Sequence, residues 1–168
     1  GDLRMKLFKP FQRFALIVTL ALASVFGSLN AYAGSLTDTL ETALIGHLFR
    51  GSAYTAPSTW HVGLLTGACS DSAAGTEVSG GSYARVGVAS GAGTWAAVSA
   101  GNGTTSNVSA INFATPSASW GTVTHFGLYD ASTAGNLLIC QALTASKTIN
   151  SGDTVSFAAG ALTIQIDN

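Results

Sequence analysis

ALTIQID, residues 161–167, alternates strictly: Leu162, Ile164 and Ile166 fall on one side of an extended chain and Thr163, Gln165 and Asp167 on the other. Successive side chains of a strand point to opposite faces, so this run reads as a β-strand with one face in a core and one in water. Upstream, Asn150-Ser151-Gly152-Asp153 carries the Gly and Asn of a tight turn between two strand candidates. Further back, strand-like runs occupy residues 60–66, 83–89, 94–98, 108–113, 122–129, 137–143 and 154–157. Short runs of this kind, separated by turn residues, predict a mainly β fold: an antiparallel β-sandwich or jelly roll of about eight short strands. Residues 101–106 hold only Gly, Asn, Thr and Ser and read as an exposed loop.

One N-terminal amphipathic helix precedes the strands, over residues 35–50. Leu36, Leu40, Ala43, Leu44, His47 and Leu48 recur on one face at helical spacing. Ser35 is the expected cap, Asp38 and Glu41 sit where the helix dipole favours anions, and Gly51 is the expected stop. The leucine face should pack on the sheet or on a neighbouring subunit, because Thr37, Asp38 and Glu41 occupy the other.

Composition agrees with a strand-and-turn chain. Only 9% of the 168 residues are charged, against roughly 25% in ordinary soluble domains. Twenty glycines, abundant Ser and Thr, and few Lys or Glu remove most good helix formers. From Gly34 onward the bases are Arg50, Arg85 and Lys147, facing seven acids, a net charge of −4. That balance leaves no basic stripe to track phosphates, so nucleic acid is not an expected partner.

The other bases crowd the start. From Met5 the chain reads as a basic stretch (Lys6, Lys9, Arg13), an apolar run over residues 14–27, then Ala31-Tyr32-Ala33. This is the three-part secretory signal pattern, with an A-x-A site predicting cleavage before Gly34. The apolar run is about 14 residues, shorter than the roughly 20 a spanning helix needs. The expected division is therefore a signal-peptide-like leader at 1–33 and one β-sandwich structural domain at 34–168.

Candidate chemistry is sparse. His47, His61 and His125 stand singly, with no spacing that would bring two imidazoles to one metal. No P-loop, nucleophile elbow or dinucleotide-binding glycine motif is present, and Gly91-Ala92-Gly93 leads into a strand signal at Thr94-Trp95. Asp71, Glu77, Asp130 and Asp153 could pair as catalytic carboxylates, but each sits in or beside a Gly- and Ser-rich loop where such side chains commonly bond local backbone. Trp60, Trp95 and Trp120 could form a sugar-stacking platform, or fill a sandwich core, which is the commoner use. Neither sequon, at Asn102 or Asn107, is assigned a role. Cys69 and Cys140 are the only cysteines. An even count behind a secretory leader permits one disulfide, the alternative being two free thiols. Arg85 is expected to be tied to Glu77, with Asp130 as second choice, or to loop carbonyls, and so to organise the loop at residues 67–82. No catalytic, cofactor-binding or metal residue is assigned.

Several motifs in fixed order carry a resemblance: GTEVSGGSYAR at 75–85, WGTVTHFGLYD at 120–130, Gly135-Asn136-Leu137-Leu138, SGDT at 151–154 and Leu162-Thr163-Ile164. Together they make the chain from about residue 35 to 167 similar to a family of small phage virion proteins, the tail fibre or virion structural proteins. The resemblance implies a non-enzymatic β-sandwich subunit built into a particle or fibre. It implies assembly with itself, as a homo-oligomer such as a trimer, and with other virion or surface-fibre proteins. No catalytic residues carry over and no cofactor is implied. The leader departs from that family, since virion proteins assemble in the host cytoplasm. A phage-derived domain used as a secreted surface filament would reconcile the two halves, and so would a fused or misassigned start. Localisation is thus virion, or extracellular surface if the leader functions. A secreted carbohydrate-binding module with a glycan receptor is the alternative function, and a hydrolase built on the scattered carboxylates is a third.

Overall fold

The computed structural model describes residues 36–101 and 103–166. The leader, Ser35 and the sequon residue Asn102 lie outside them. One helix, α1 (Asp38–Arg50), is followed by eight strands: β1 (Thr59–Leu65), β2 (Val86–Ala89), β3 (Thr104–Ser106), β4 (Ile111–Asn112), β5 (Gly121–Tyr129), β6 (Leu137–Ile149), β7 (Ser156–Phe157) and β8 (Thr163–Gln165). All pairings are antiparallel. Four strands make a sheet in the order β2-β1-β5-β6, and two ribbons, β3-β8 and β4-β7, make up the rest. The architecture is the expected mainly β fold with one N-terminal helix. Its second layer is split into ribbons and is not a continuous sheet.

Alternation explains which face is core. Trp60, Val62 and Leu64 of β1 point to one side, with Phe126 and Leu128 of β5 opposite them in register. Val62, Leu64, Phe126 and Leu128 join Ile111, Phe113, Leu162 and Ile164 in one buried cluster, which also takes in Leu36 and Leu40. Phe157 meets Phe126 edge-on at 5.7 Å, so the β4-β7 ribbon lies on the inner face of the sheet. The alternation read at 161–167 holds for Leu162 and Ile164, both buried, and fails at Ile166, which is exposed. Ile166 lies one residue past the β3-β8 ladder, which ends at Gln165.

Several sequence expectations need correction. Residues 94–98 do not form a ladder strand. Trp95 bridges Asn107 and Ser99 bridges Thr104, one residue out of step, so a bulge breaks the pairing. Conversely, Thr104–Ser106 within the predicted loop is strand β3, paired through Thr105 opposite Ile164. β6 also runs six residues beyond its predicted end, to Ile149. A bulge between Ala142 and Lys147 lets the strand resume opposite Val123.

The helix begins three residues later than its leucine spacing predicts. Its N-cap is Thr37, in extended conformation, and makes no side-chain capping bond. The Thr37 hydroxyl donates instead to the carbonyls of Leu137 at 2.7 Å and Leu138 at 3.2 Å, pinning the helix start to β6. The Asp38 N–H, otherwise an orphan of the first turn, donates to the Asp71 carbonyl at 2.9 Å. At the other end Gly51 takes the left-handed conformation, φ 68°, as expected of a stop. Among the described residues no helix is long and apolar enough to cross a membrane.

Candidate functional site

The strongest polar constellation is built around Arg85, just before β2. Its Nε and Nη2 donate to Glu77 Oε1 at 2.8 Å and Oε2 at 2.7 Å, a two-pronged ion pair. Its Nη1 donates to the carbonyls of Ala131 at 2.8 Å and Ala134 at 2.7 Å. The guanidinium lies 3.4 Å from the centre of the Tyr129 ring, close enough for a cation–π contact. Tyr83 completes the group: its hydroxyl donates to Glu77 Oε1 at 2.9 Å and accepts from the Leu64 N–H at 2.8 Å. Gly63 makes room for all this. A Cβ there would stand 2.9 to 3.0 Å from Tyr129, Glu77 and Tyr83.

The electrostatics suit a pin between loops. The Arg85 side chain is only 8% exposed. Burial opposes its charge, yet the Glu77 hydrogen bonds and charge outweigh that and hold its pKa above the ordinary value. Burial, then the Glu77 carboxylate, pushes the Tyr129 phenol up to about 12, with Arg85 pulling the other way. Tyr83 is pushed up further, chiefly by burial. Both Glu77 oxygens and the Tyr83 hydroxyl are engaged from within the chain, and the result joins the loop at residues 67–82 to the turn at 131–134. Arg85 therefore organises that loop through Glu77, its first expected partner, and not through Asp130.

Of the other candidate carboxylates, Asp130 and Asp153 bond residues close in sequence, while Asp71 contributes its backbone carbonyl to the helix start. Asp130 accepts from the Asn136 N–H at 2.7 Å and from Asn136 Nδ2 at 2.8 Å. Asp153 accepts from the Asn150 N–H at 2.8 Å, closing the turn read from the sequence. His47 lies 3.2 Å from the Ser52 carbonyl, His125 Nδ1 lies 2.8 Å from the Thr124 hydroxyl, and His61 stands in β1. Among the described residues no three His, Cys, Asp or Glu side chains gather as metal donors.

Trp120 is buried, with Nε1 donating to the Gly81 carbonyl at 2.9 Å, and Trp60 and Trp95 are half-buried against the same core. The three tryptophans are thus core members and do not make a stacking platform. Asn107 is buried: Nδ2 donates to the carbonyls of Ser109 and Ala158, and Oδ1 accepts from the Leu162 N–H. It joins β3 to the approach to β8 and offers no sugar attachment point.

Cys69 and Cys140 come together with Cα atoms 6.4 Å apart, inside the range over which a disulfide closes. Cys140 is on β6 and Cys69 in the loop after β1.

The feature least foreseen is on α1. Leu40 is buried and Leu44 half-buried against the core, but Leu48 is 68% exposed, with Ile45 at 55% and Phe49 at 78%. Leu48 was expected on the packed face. The helix leaves the sheet after its middle, so its last two turns present apolar side chains outward. Ile45, Leu48 and Phe49 at i, i+3, i+4 were the available signal for a second apolar face.

A family model described as podophage GP4 fiber I protein gp80 matches residues 35–165. No curated protein matches the chain.

Proposed function

Because the chain belongs to the podophage GP4 fiber I protein family, a family of phage structural components, we propose that it is a non-enzymatic subunit of a virion appendage that acts through homo-oligomeric assembly. The observation that carries this reading is the outward face of Ile45, Leu48 and Phe49. Three large apolar side chains at helical spacing cost free energy in water, and covering them is the ordinary use of such a patch. A body this poor in charge supports the reading, since few ions need desolvation when subunits meet. The Arg85 cluster, satisfied from within, serves in this reading as a pin for loops and not as a catalytic group. Cys69 and Cys140 serve as an intramolecular disulfide that holds the loop after β1 on the sheet.

The test is the mass in solution of the full chain beside its Leu48→Asp variant. The reading expects an oligomer for the first and a smaller species, folded to the same strand content, for the second. A monomer at every concentration for both would refute it. The export alternative, a phage-derived fibre subunit at the cell surface, rests on residues 5–33 and predicts a chain whose recovered N-terminus is Gly34.

A further inference from the structure

Gly46 stands in the interior of α1, where glycine is the least favourable residue after proline. Nothing within the chain calls for it. A Cβ at this position would meet Ser52 at 3.5 Å, an ordinary van der Waals contact. The Gly46 carbonyl accepts from the Ser52 N–H at 3.1 Å, which any residue could do. A glycine in such a place leaves a gap that a group from outside the chain can approach closely. A groove of about 610 Å³ lies there, lined by Glu41, Thr42, Ile45, Gly46, Arg50 and Ser52.

Beside the groove runs a ridge. Glu41, Ile45 and Phe49 follow one another at intervals of four along α1, and all three are exposed. Thr42, Gly46 and Arg50 make the next row, which is interrupted where Gly46 has no side chain. Helices pack by setting such a ridge of one into a groove of the other. The surface of α1 thus carries both halves of the contact, and a self-complementary patch is what a two-fold pair requires.

Charge sets the direction of the second helix. Asp38 and Glu41 lie in the early turns of α1, His47 and Arg50 in the last. Neither Glu41 nor Arg50 has an ion-pair partner among the described residues. A parallel neighbour would set acid against acid, whereas an antiparallel one sets Glu41 against Arg50 at both ends. Residues 41 and 50 are equally far from the Ile45–Gly46 peptide bond. A two-fold axis there therefore also sets Ile45 opposite the partner's Gly46 and Phe49 opposite the partner's Thr42.

We infer that this face of α1 is covered by the same helix of a second copy, crossing antiparallel at Gly46. Ile45 of each copy sits in the gap at Gly46 of the other, and Glu41 pairs with Arg50 on both sides. The pairing rests on the proposed homo-oligomeric assembly and specifies which surfaces meet and with what symmetry.

Sedimentation equilibrium of the full chain and its variants tests it. Two-fold symmetry repeats every contact, so Glu41→Arg or Arg50→Glu alone turns two attractions into two repulsions. Each should weaken dimerisation about tenfold at low salt. Combining the two changes restores opposite charges and should return the affinity to within about threefold of the parent. Gly46→Ala, which α1 itself accommodates, should weaken dimerisation about tenfold by filling the gap, with a thermal melt of the dilute chain no lower than the parent's. A dimer indifferent to either single charge change, not rescued by the pair of changes, or unmoved by Gly46→Ala overturns this pairing and leaves the assembly reading standing. So does a parent that forms trimers without dimers. A parent that stays monomeric at every concentration refutes the assembly reading itself, and the pairing with it.

Discussion

Arg85 uses four hydrogen bonds to hold one carboxylate and two carbonyls, and only a planar guanidinium can meet all three from one position while lying on an aromatic ring. Lysine could reach Glu77 but not the Ala131 and Ala134 carbonyls together, so Arg85→Lys should recover little of what Arg85→Ala loses. Removing one partner of a buried pair typically costs about 3–5 kcal/mol because the other is left uncompensated. We expect a loss in that range for Arg85→Ala by urea denaturation, with faster proteolysis between Gly67 and Tyr83 and nearly unchanged strand content. A loss below about 1 kcal/mol, the usual value of an exposed pair, would show that the cluster is ornamental. The phenols of the same cluster predict a pH dependence. The Tyr129 pKa is about 12 in the folded chain against 10.0 as the ordinary value, so as pH rises the unfolded chain loses its proton first. This part of the stability is complete below pH 10 and is lost as pH climbs toward 12, with Tyr83 acting in the same direction. The urea midpoint should therefore fall across that window, and Tyr129→Phe should flatten the fall; an equal slope in both proteins would place the titration elsewhere. Arg85 and Glu77 were legible as partners because few charges compete with them. Tyr83 and Tyr129 were not, since only the fold brings β1, β5 and the loop at 67–82 to one point.

Helix α1 divides into two halves with different partners, and substitutions should separate them. Leu40 is buried beneath the first turns, so Leu40→Ala should cost about 2–5 kcal/mol through the cavity it leaves. Leu48 is solvent-exposed, and Leu48→Asp should change the stability of the single chain by no more than about 0.5 kcal/mol while weakening assembly. Thermal melts in dilute solution check both; a large loss for Leu48→Asp there would mean that the face is packed within the chain. The leucine period was visible in the sequence, but period alone cannot say where a helix parts from its sheet. That point is set by Thr37, whose hydroxyl is used on the Leu137 and Leu138 carbonyls and so anchors only the start. The strands show the same limit. β1, β5 and β8 were legible because alternation and β-branched residues agree in them. β3 was hidden because Gly, Asn, Thr and Ser outweighed its two β-branched residues, Thr104 and Thr105. The run at 94–98 looked better than it is because a one-residue slip against β3 has no signature in its own residues.

The described residues hold together as a four-stranded sheet and two ribbons with loops fastened down at a few points, since loops rich in Gly and Ser have little apolar surface to fasten themselves. The Arg85 cluster fastens the loop after β1 from its far end and the turn after β5, and Asn107 fastens the approach to β8, while Cys69 and Cys140, with Cα atoms 6.4 Å apart, bring the near end of the loop after β1 against β6. In the reading proposed above, the cysteine pair is a disulfide that ties residues 71 apart in sequence. Cross-linking a loop of that length removes conformational freedom mainly from the unfolded chain, and the usual gain for such a bond is about 2–4 kcal/mol. The native sheet should not need it, because the buried cluster of Val62, Leu64, Phe126, Leu128 and Ile139 is complete without either sulfur. We therefore expect the double change Cys69→Ser with Cys140→Ser to keep the circular dichroism and oligomeric mass of the parent while lowering its urea stability by about 2–4 kcal/mol. Reductant should produce the same drop in the parent and none in the variant. Two free thiols in the folded parent protein, together with a urea midpoint indifferent to reductant, would show that the two cysteines sit side by side unbonded and that the loop after β1 is held by Glu77 and Arg85 alone.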